Sequence, residues 1–130
     1  MTRLVGVVAL LACLGVGRNV RHGLASWYST AETRGRMANG EVLNDEAFTA
    51  ASWDFSLGTR LRVRNQKRRT HQNGDNPKTN KDGIAVTVTD RGPARRLYRQ
   101  GRRLDLSQAA FAALAPLSEG VISVSVEQVR

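Results

Sequence analysis

Three separate segments alternate apolar and polar residues, and that pattern constrains the fold more than any other feature of the chain. Thr59–Asn65 puts Leu61 and Val63 on one face and Arg60, Arg62 and Arg64 on the other. Ile84–Thr89 places Ile84, Val86 and Val88 on one side. Val121–Val129 turns Ile122, Val124 and Val126 inward and Ser123, Ser125 and Glu127 outward. A period of two marks a half-buried strand. Leu24–Tyr28 adds a strand, since Trp27 and Tyr28 favour extended backbone; Phe48–Trp53 is short and mixed. One late helix is predicted, with Ser107 as N-cap, Ala110, Phe111 and Leu114 at helical spacing, and Pro116 as the stop. Strands with one short late helix in 130 residues predict a mostly β fold, a small closed barrel, because closure removes exposed strand edges.

Between these elements the chain is polar. Ser29–Asp45 carries glycines and reads as a long loop. Gln66–Gly83 holds 18 residues and no aliphatic side chain; Asn73-Gly74 and Asp82-Gly83 are turn signals and Pro77 breaks any ladder. It is expected to be a surface excursion, either a functional flap or a tolerated insertion. Ala94–Arg103 is basic and reads as irregular, and Leu104–Ser107 as the lead into the helix.

The N-terminus points to export. Met1–Arg3 gives a short positive start, and Leu4–Gly17 is an uncharged run of 14 residues. That run is short of the ~20 apolar residues that span a bilayer and suits a signal-peptide core. Residues 1–17 are therefore expected to be a signal peptide, and residues 23–130 the domain, working in the periplasm or cell envelope. Cys13 is the only cysteine, so no intrachain disulfide can form. Leu10-Leu11-Ala12-Cys13 resembles the lipobox of bacterial lipoproteins. In one reading the signal is cut before Cys13 and the thiol carries lipid; in the other, cleavage follows Gly15 or Gly17 and the thiol is lost. Any membrane contact is expected through the signal or that lipid.

With 20 Lys and Arg against 11 Asp and Glu, the net charge is +9, a field that attracts polyanions of any kind. Nucleic acid is set aside by the export signal and by the lack of a stacking array on the strands. No metal or cofactor is expected: the two histidines, His22 and His71, lie in a basic lead-in and in the 66–83 excursion, and nothing is spaced as ligands. Carboxylates remain. Asp90 follows a buried strand and precedes Arg91-Gly92-Pro93, a turn that permits close backbone approach. A partly desolvated carboxyl there can hold a proton and act as general acid, or Asp90 can simply cap the turn or pair with Arg91 or Arg95. Asp105 suits a helix-start carboxylate. Glu41 is either a ligand contact or a turn residue. Trp27 and Tyr28 can stack on sugar rings or belong to the core.

Taken in order, several segments resemble the rare lipoprotein A (RlpA) family: Gly23–Tyr28, Gly35–Glu41, Thr49-Ala50-Ala51, Leu57-Gly58-Thr59, Val63–Asn65, Asp90-Arg91-Gly92-Pro93 and Asp105–Ala110. The resemblance implies a six-stranded double-psi β-barrel. It implies a monomer acting on peptidoglycan glycan strands as an endolytic lytic transglycosylase, with no cofactor. Such enzymes cut between N-acetylmuramic acid and N-acetylglucosamine; an acid protonates the leaving oxygen and the muramyl 6-hydroxyl closes an anhydro ring. Asp90 would be that acid and then the base, with Tyr28, Glu41, Arg91 and Asp105 contacting substrate. The alternative is an expansin-like barrel that binds wall glycan without cutting it. The sequence departs from the family at Ser52, where a His is usual after Thr-Ala-Ala, at Ser29 in place of Gly, and at Ala94-Arg95-Arg96.

Overall fold

The computed structural model describes residues 19–33, 35–67 and 82–129. The expected signal peptide, Cys13 and His71 lie outside them. Six strands, β1 (Val20–Tyr28), β2 (Thr49–Ser52), β3 (Arg60–Asn65), β4 (Ile84–Asp90), β5 (Arg102–Ser107) and β6 (Val121–Gln128), close into a barrel in the order β1-β5-β2-β4-β3-β6. Two of the neighbouring pairs, β1–β5 and β2–β4, run parallel, and the other four are antiparallel. The mostly β closed barrel expected from alternation is the fold observed.

Alternation fills the interior. Ala25, Ala50, Leu61, Val63, Val86, Val88, Leu104, Leu106 and Val124 are buried side by side. Two short helices accompany the strands: α1 (Arg95–Arg99) and α2 (Gln108–Ala112). α2 is the predicted late helix. Ser107 caps it by accepting from the Ala110 N–H at 3.4 Å, and α2 delivers Phe111, the largest fully buried side chain, to the core.

The structure corrects three local expectations. Leu104–Ser107 is a strand, not a helix lead-in, because Leu104 and Leu106 face the core and the backbone pairs with β1 on one side and β2 on the other. Ala94–Arg103 is not wholly irregular: it holds α1, a helix with no buried residue and thus no apolar face for a sequence to announce. Val20–His22 is not a lead-in but the start of β1, paired with Glu127–Ser125 of β6.

The segment between β1 and β2 folds over the outside of the barrel. Its base is clamped where Asp45 accepts from the Thr30 N–H (2.9 Å) and Oγ1–H (2.7 Å). Beneath it Tyr28, Met37, Leu43 and Ala51 form a second small apolar cluster, on the opposite side of the sheet from the main core.

Candidate active site

Strand register assembles the site. Ser26 of β1 pairs with Asp105 of β5, Asp105 with Ala51 of β2, and Ala51 with Asp90 of β4. Directly paired residues share a face, so Ser26, Asp105, Ala51 and Asp90 form one row across four strands. The row lies on the face opposite the core: its neighbours Ala25, Leu104, Leu106, Ala50 and Val88 are the ones that fill the interior. Asp90 and Asp105 flank Ala51, a small side chain that is itself buried against Tyr28, Met37 and Leu43. Two strand spacings put their Cα atoms about 10 Å apart.

Asp90 reaches this face through a bulge. Along β4 Ile84, Val86 and Val88 point inward, and strict alternation would turn Asp90 inward too. The register instead jumps from Ala50↔Val88 to Ala51↔Asp90, leaving Thr89 extra. A bulge re-aims the side chain that follows it. Thr89 and Asp90 both come to lie beside the 37–39 turn: Thr89 Oγ1 is 3.3 Å from Met37 Sδ, and Asp90 Oδ1 accepts from the Ala38 N–H at 2.9 Å. Asp90 Oδ1 also accepts from the Arg91 N–H at 2.8 Å, and Oδ2 receives a long contact of 3.4 Å from the Tyr28 hydroxyl. Gly92 follows at close quarters; a Cβ there would sit 3.3 Å from Ala51 Cβ.

Asp105 is half-buried and accepts from Ser26 Oγ–H at 2.8 Å. Burial pushes its carboxyl above the usual range; the Ser26 hydrogen bond and Arg102 pull the other way, and the charges of Glu32 and Asp90 add to the rise. The same surroundings raise the Tyr28 hydroxyl, first through burial and then through Asp90 and Asp105, so Tyr28 remains a donor at any physiological pH.

The expected site residues separate into three groups. Asp90, Asp105 and Tyr28 converge. Asp105 is a strand residue in the row, not a helix-start carboxylate. Arg91 is turned aside: its guanidinium donates to the carbonyls of Ser52 (2.9 Å) and Phe55 (2.6 Å), and among the described residues Asp90 forms no ion pair with an arginine. Glu41 is exposed and engaged in its own turn, with its N–H on Asn39 Oδ1 (2.9 Å) and Oε2 accepting from Asn39 Nδ2 (3.2 Å). Trp27 is part-buried, packs against the main core and donates to the Leu117 carbonyl at 3.1 Å. Ser52 is fully buried and its Oγ accepts from the Asp54 N–H at 3.0 Å, closing the turn after β2. Ser26 was absent from the expected set. Its only sequence signal was its place in the Gly23–Tyr28 segment, and its role depends on a partner 79 residues away. Among the described residues no three His, Cys, Asp or Glu side chains gather to hold a metal.

Known proteins resemble this chain in sequence and in fold. The profile of a family described as lytic transglycolase, built on this barrel, matches residues 20–126. A probable endolytic peptidoglycan transglycosylase RlpA of Synechocystis sp. is 33% identical over 95% of this chain and 37% of its own length. One of the same description from Aquifex aeolicus is 34% identical over 96% of this chain and 50% of its own. The chain thus spans half or less of these relatives. Among solved structures, apo expansin of Clavibacter michiganensis superposes with a TM-score of 0.57 at 26% identity, covering 85% of this chain and 50% of that one. The six strands form the double-psi β-barrel that the resemblance implied. With the profile matching residues 20–126, from β1 into β6, the chain belongs to the RlpA-like lytic transglycolase family.

Proposed function

We propose that this protein is an endolytic peptidoglycan lytic transglycosylase, cutting between N-acetylmuramic acid and N-acetylglucosamine in the cell wall. The observation that carries the reading is the row Ser26–Asp105–Ala51–Asp90, which sets two part-buried carboxyl groups on the outer face of the barrel on either side of a small residue.

Their surroundings divide the work. Asp105, whose burial raises its carboxyl above the usual range, is the group suited to donate. Asp90 is an acceptor: Oδ1 already takes two backbone N–H bonds, and Oδ2 is left facing Tyr28. In the reaction Asp105 gives its proton to the glycosidic oxygen, and that oxygen leaves with the bonding pair from the muramyl C1. The muramyl 6-hydroxyl oxygen attacks C1, and its proton passes to Asp90 Oδ2. The product is a 1,6-anhydro ring with no water consumed. Return of one proton from Asp90 to Asp105 through solvent resets the pair. Ser26 holds the Asp105 carboxyl in plane, and the Tyr28 hydroxyl steadies Asp90 and borders the sugar. This assignment moves the acid role from Asp90 to Asp105 and leaves Asp90 the base.

The test is digestion of purified sacculi. The protein is expected to release anhydromuropeptides, and both Asp90→Asn and Asp105→Asn to release none while remaining folded. Anhydro products persisting in both variants would sink the mechanism.

A second reading is a barrel that binds wall glycan without cutting it. Ser52 in the place where the family usually has His favours it, as does the likeness to an expansin. Wall binding with no soluble product from the unaltered protein would establish it. Either activity places the protein in the cell envelope, exported by residues 1–17 and, if Cys13 is lipidated, anchored there as a monomer.

A further inference from the structure

The turn that donates to Asp90 is seated by one side chain. Residues 36–42 fold back on themselves: Arg36 bridges to Val42, the Met37 N–H donates to the Glu41 carbonyl at 2.8 Å, and the Gly40 N–H donates to the Met37 carbonyl at 2.9 Å. Of residues 35–42, Met37 alone is buried, at 8% exposure. Its side chain completes the apolar cluster of Tyr28, Leu43 and Ala51. Its sulfur stands between two hydroxyls, 3.3 Å from Thr89 Oγ1 and 3.8 Å from the Tyr28 hydroxyl. The next two residues bond to β4: the Ala38 N–H to Asp90 Oδ1 at 2.9 Å and the Asn39 N–H to the Thr89 carbonyl at 3.1 Å. The residue that anchors the hairpin is thus adjacent to the donor on the Asp90 carboxylate.

That anchor is oxidisable. Met1 and Met37 are the only methionines and Cys13 the only cysteine, so Met37 is the one sulfur outside the expected signal peptide. A sulfoxide is larger than a thioether, polar, and a strong acceptor. The two hydroxyls beside the sulfur are donors that such an oxygen would draw to itself. The cluster has no room for it, since Tyr28, Leu43 and Ala51 are each buried, and overfilled packing moves backbone. Tyr28 and Ala51 are fixed by strand pairing with Ser107, Asp105 and Asp90. The exposed hairpin is the part that gives way.

We propose that Met37 is a modification site and a positioning residue: its oxidation by a peroxide unseats the 36–42 hairpin and takes the Ala38 N–H off Asp90. In the step, the Met37 sulfur lone pair attacks one oxygen of hydrogen peroxide. An S–O bond forms as the O–O bond breaks, and the proton on the transferred oxygen passes to the departing hydroxide, which leaves as water. Sulfur is oxidised by two electrons and the peroxide is reduced by two. Asp90 then keeps only the Arg91 N–H of its two backbone donors. A loss of sacculus digestion rests on the transglycosylase reading above; the release of the hairpin does not.

The full chain is treated with hydrogen peroxide beside Met37→Leu, which keeps the volume but has no sulfur at that position. Peptide masses locate the added oxygen, expected at Met37. Amide hydrogen exchange, followed by NMR, reads the hairpin. The Ala38 and Asn39 amides should exchange roughly five- to a hundredfold faster after oxidation, the range that overpacking produces. The Arg91 amide bonds the same Asp90 oxygen from the other side and should not change; a general loosening would move all three. Digestion by the oxidised protein should fall roughly ten- to a hundredfold, while Met37→Leu should digest equally before and after treatment. Three results overturn the proposal: Met37 staying reduced in the folded protein, a sulfoxide that leaves the Ala38 amide as protected as before, or Met37→Leu losing its digestion to the same treatment. An untreated protein that releases no anhydro products refutes the transglycosylase reading instead, and the amide exchange still decides this one.

Discussion

Replacing Arg91 by alanine separates an architectural role from a substrate contact. The guanidinium bridges two carbonyls, Ser52 at 2.9 Å in a part-buried setting and Phe55 at 2.6 Å at the surface. Hydrogen bonds from a charged donor contribute about 1.5–3 kcal/mol each when the acceptor is left unsatisfied. The Phe55 carbonyl regains water once the side chain is gone, so only the Ser52 bond counts in full, and the total is about 2 kcal/mol. A domain of this size loses ~4–8 °C of Tm per kcal/mol, so the midpoint should fall by roughly 10 °C. Arg91→Lys can reach one carbonyl and should lose about half as much. Urea and thermal unfolding, run beside sacculus digestion below the midpoint, provide the assay. Both variants should digest in proportion to their folded fraction. An unchanged midpoint with lost digestion would refute the reasoning and make Arg91 a substrate contact after all.

Other expectations follow from the same geometry. Asp105 must be protonated to donate, so digestion should fall as pH rises through its raised value, and Asp105→Asn should remove activity at every pH. The folded state favours that protonated form. The stability it contributes is complete below the unfolded-state pKa and fades as pH rises through the higher folded one; urea midpoints of Asp105→Asn should therefore show a weaker decline above the ordinary carboxylate range. Gly83 has φ of +82°, and a Cβ there would lie 2.5 Å from the Val63 carbonyl oxygen, so Gly83→Ala should destabilise by more than the ~1–2 kcal/mol of left-handed strain alone, read by urea unfolding. Phe111→Ala empties the fully buried centre of the core and should cost about 3–5 kcal/mol by the same measurement.

Much of the barrel was legible because alternation is a local signal. Leu61 and Val63, Val86 and Val88, and Val124 and Val126 announced their strands within a few residues. β5 was hidden because only Leu104 and Leu106 alternate in it, behind two arginines. Its real warrant is pairing with β1, some 80 residues away in sequence. The carboxylates were visible as residue types, and the family resemblance put Asp90 forward. That Asp105 stands across Ala51 from it depends on register, and register depends on the bulge at Thr89, which no local pattern encodes. Arg91 looked like a ligand because it follows Asp90; its side chain instead satisfies carbonyls 36 and 39 residues back along the chain.

The placing of β1 between β5 and β6 also governs when the molecule can work. The first of the six strands to be synthesised has the last two as its partners, so the barrel cannot shut until β6 has been made. Ser26 and Tyr28 on β1 meet Asp105 only once β5 has been made. A chain interrupted before β5 carries Asp90 but neither Asp105 nor the strand that sets it beside Ser26.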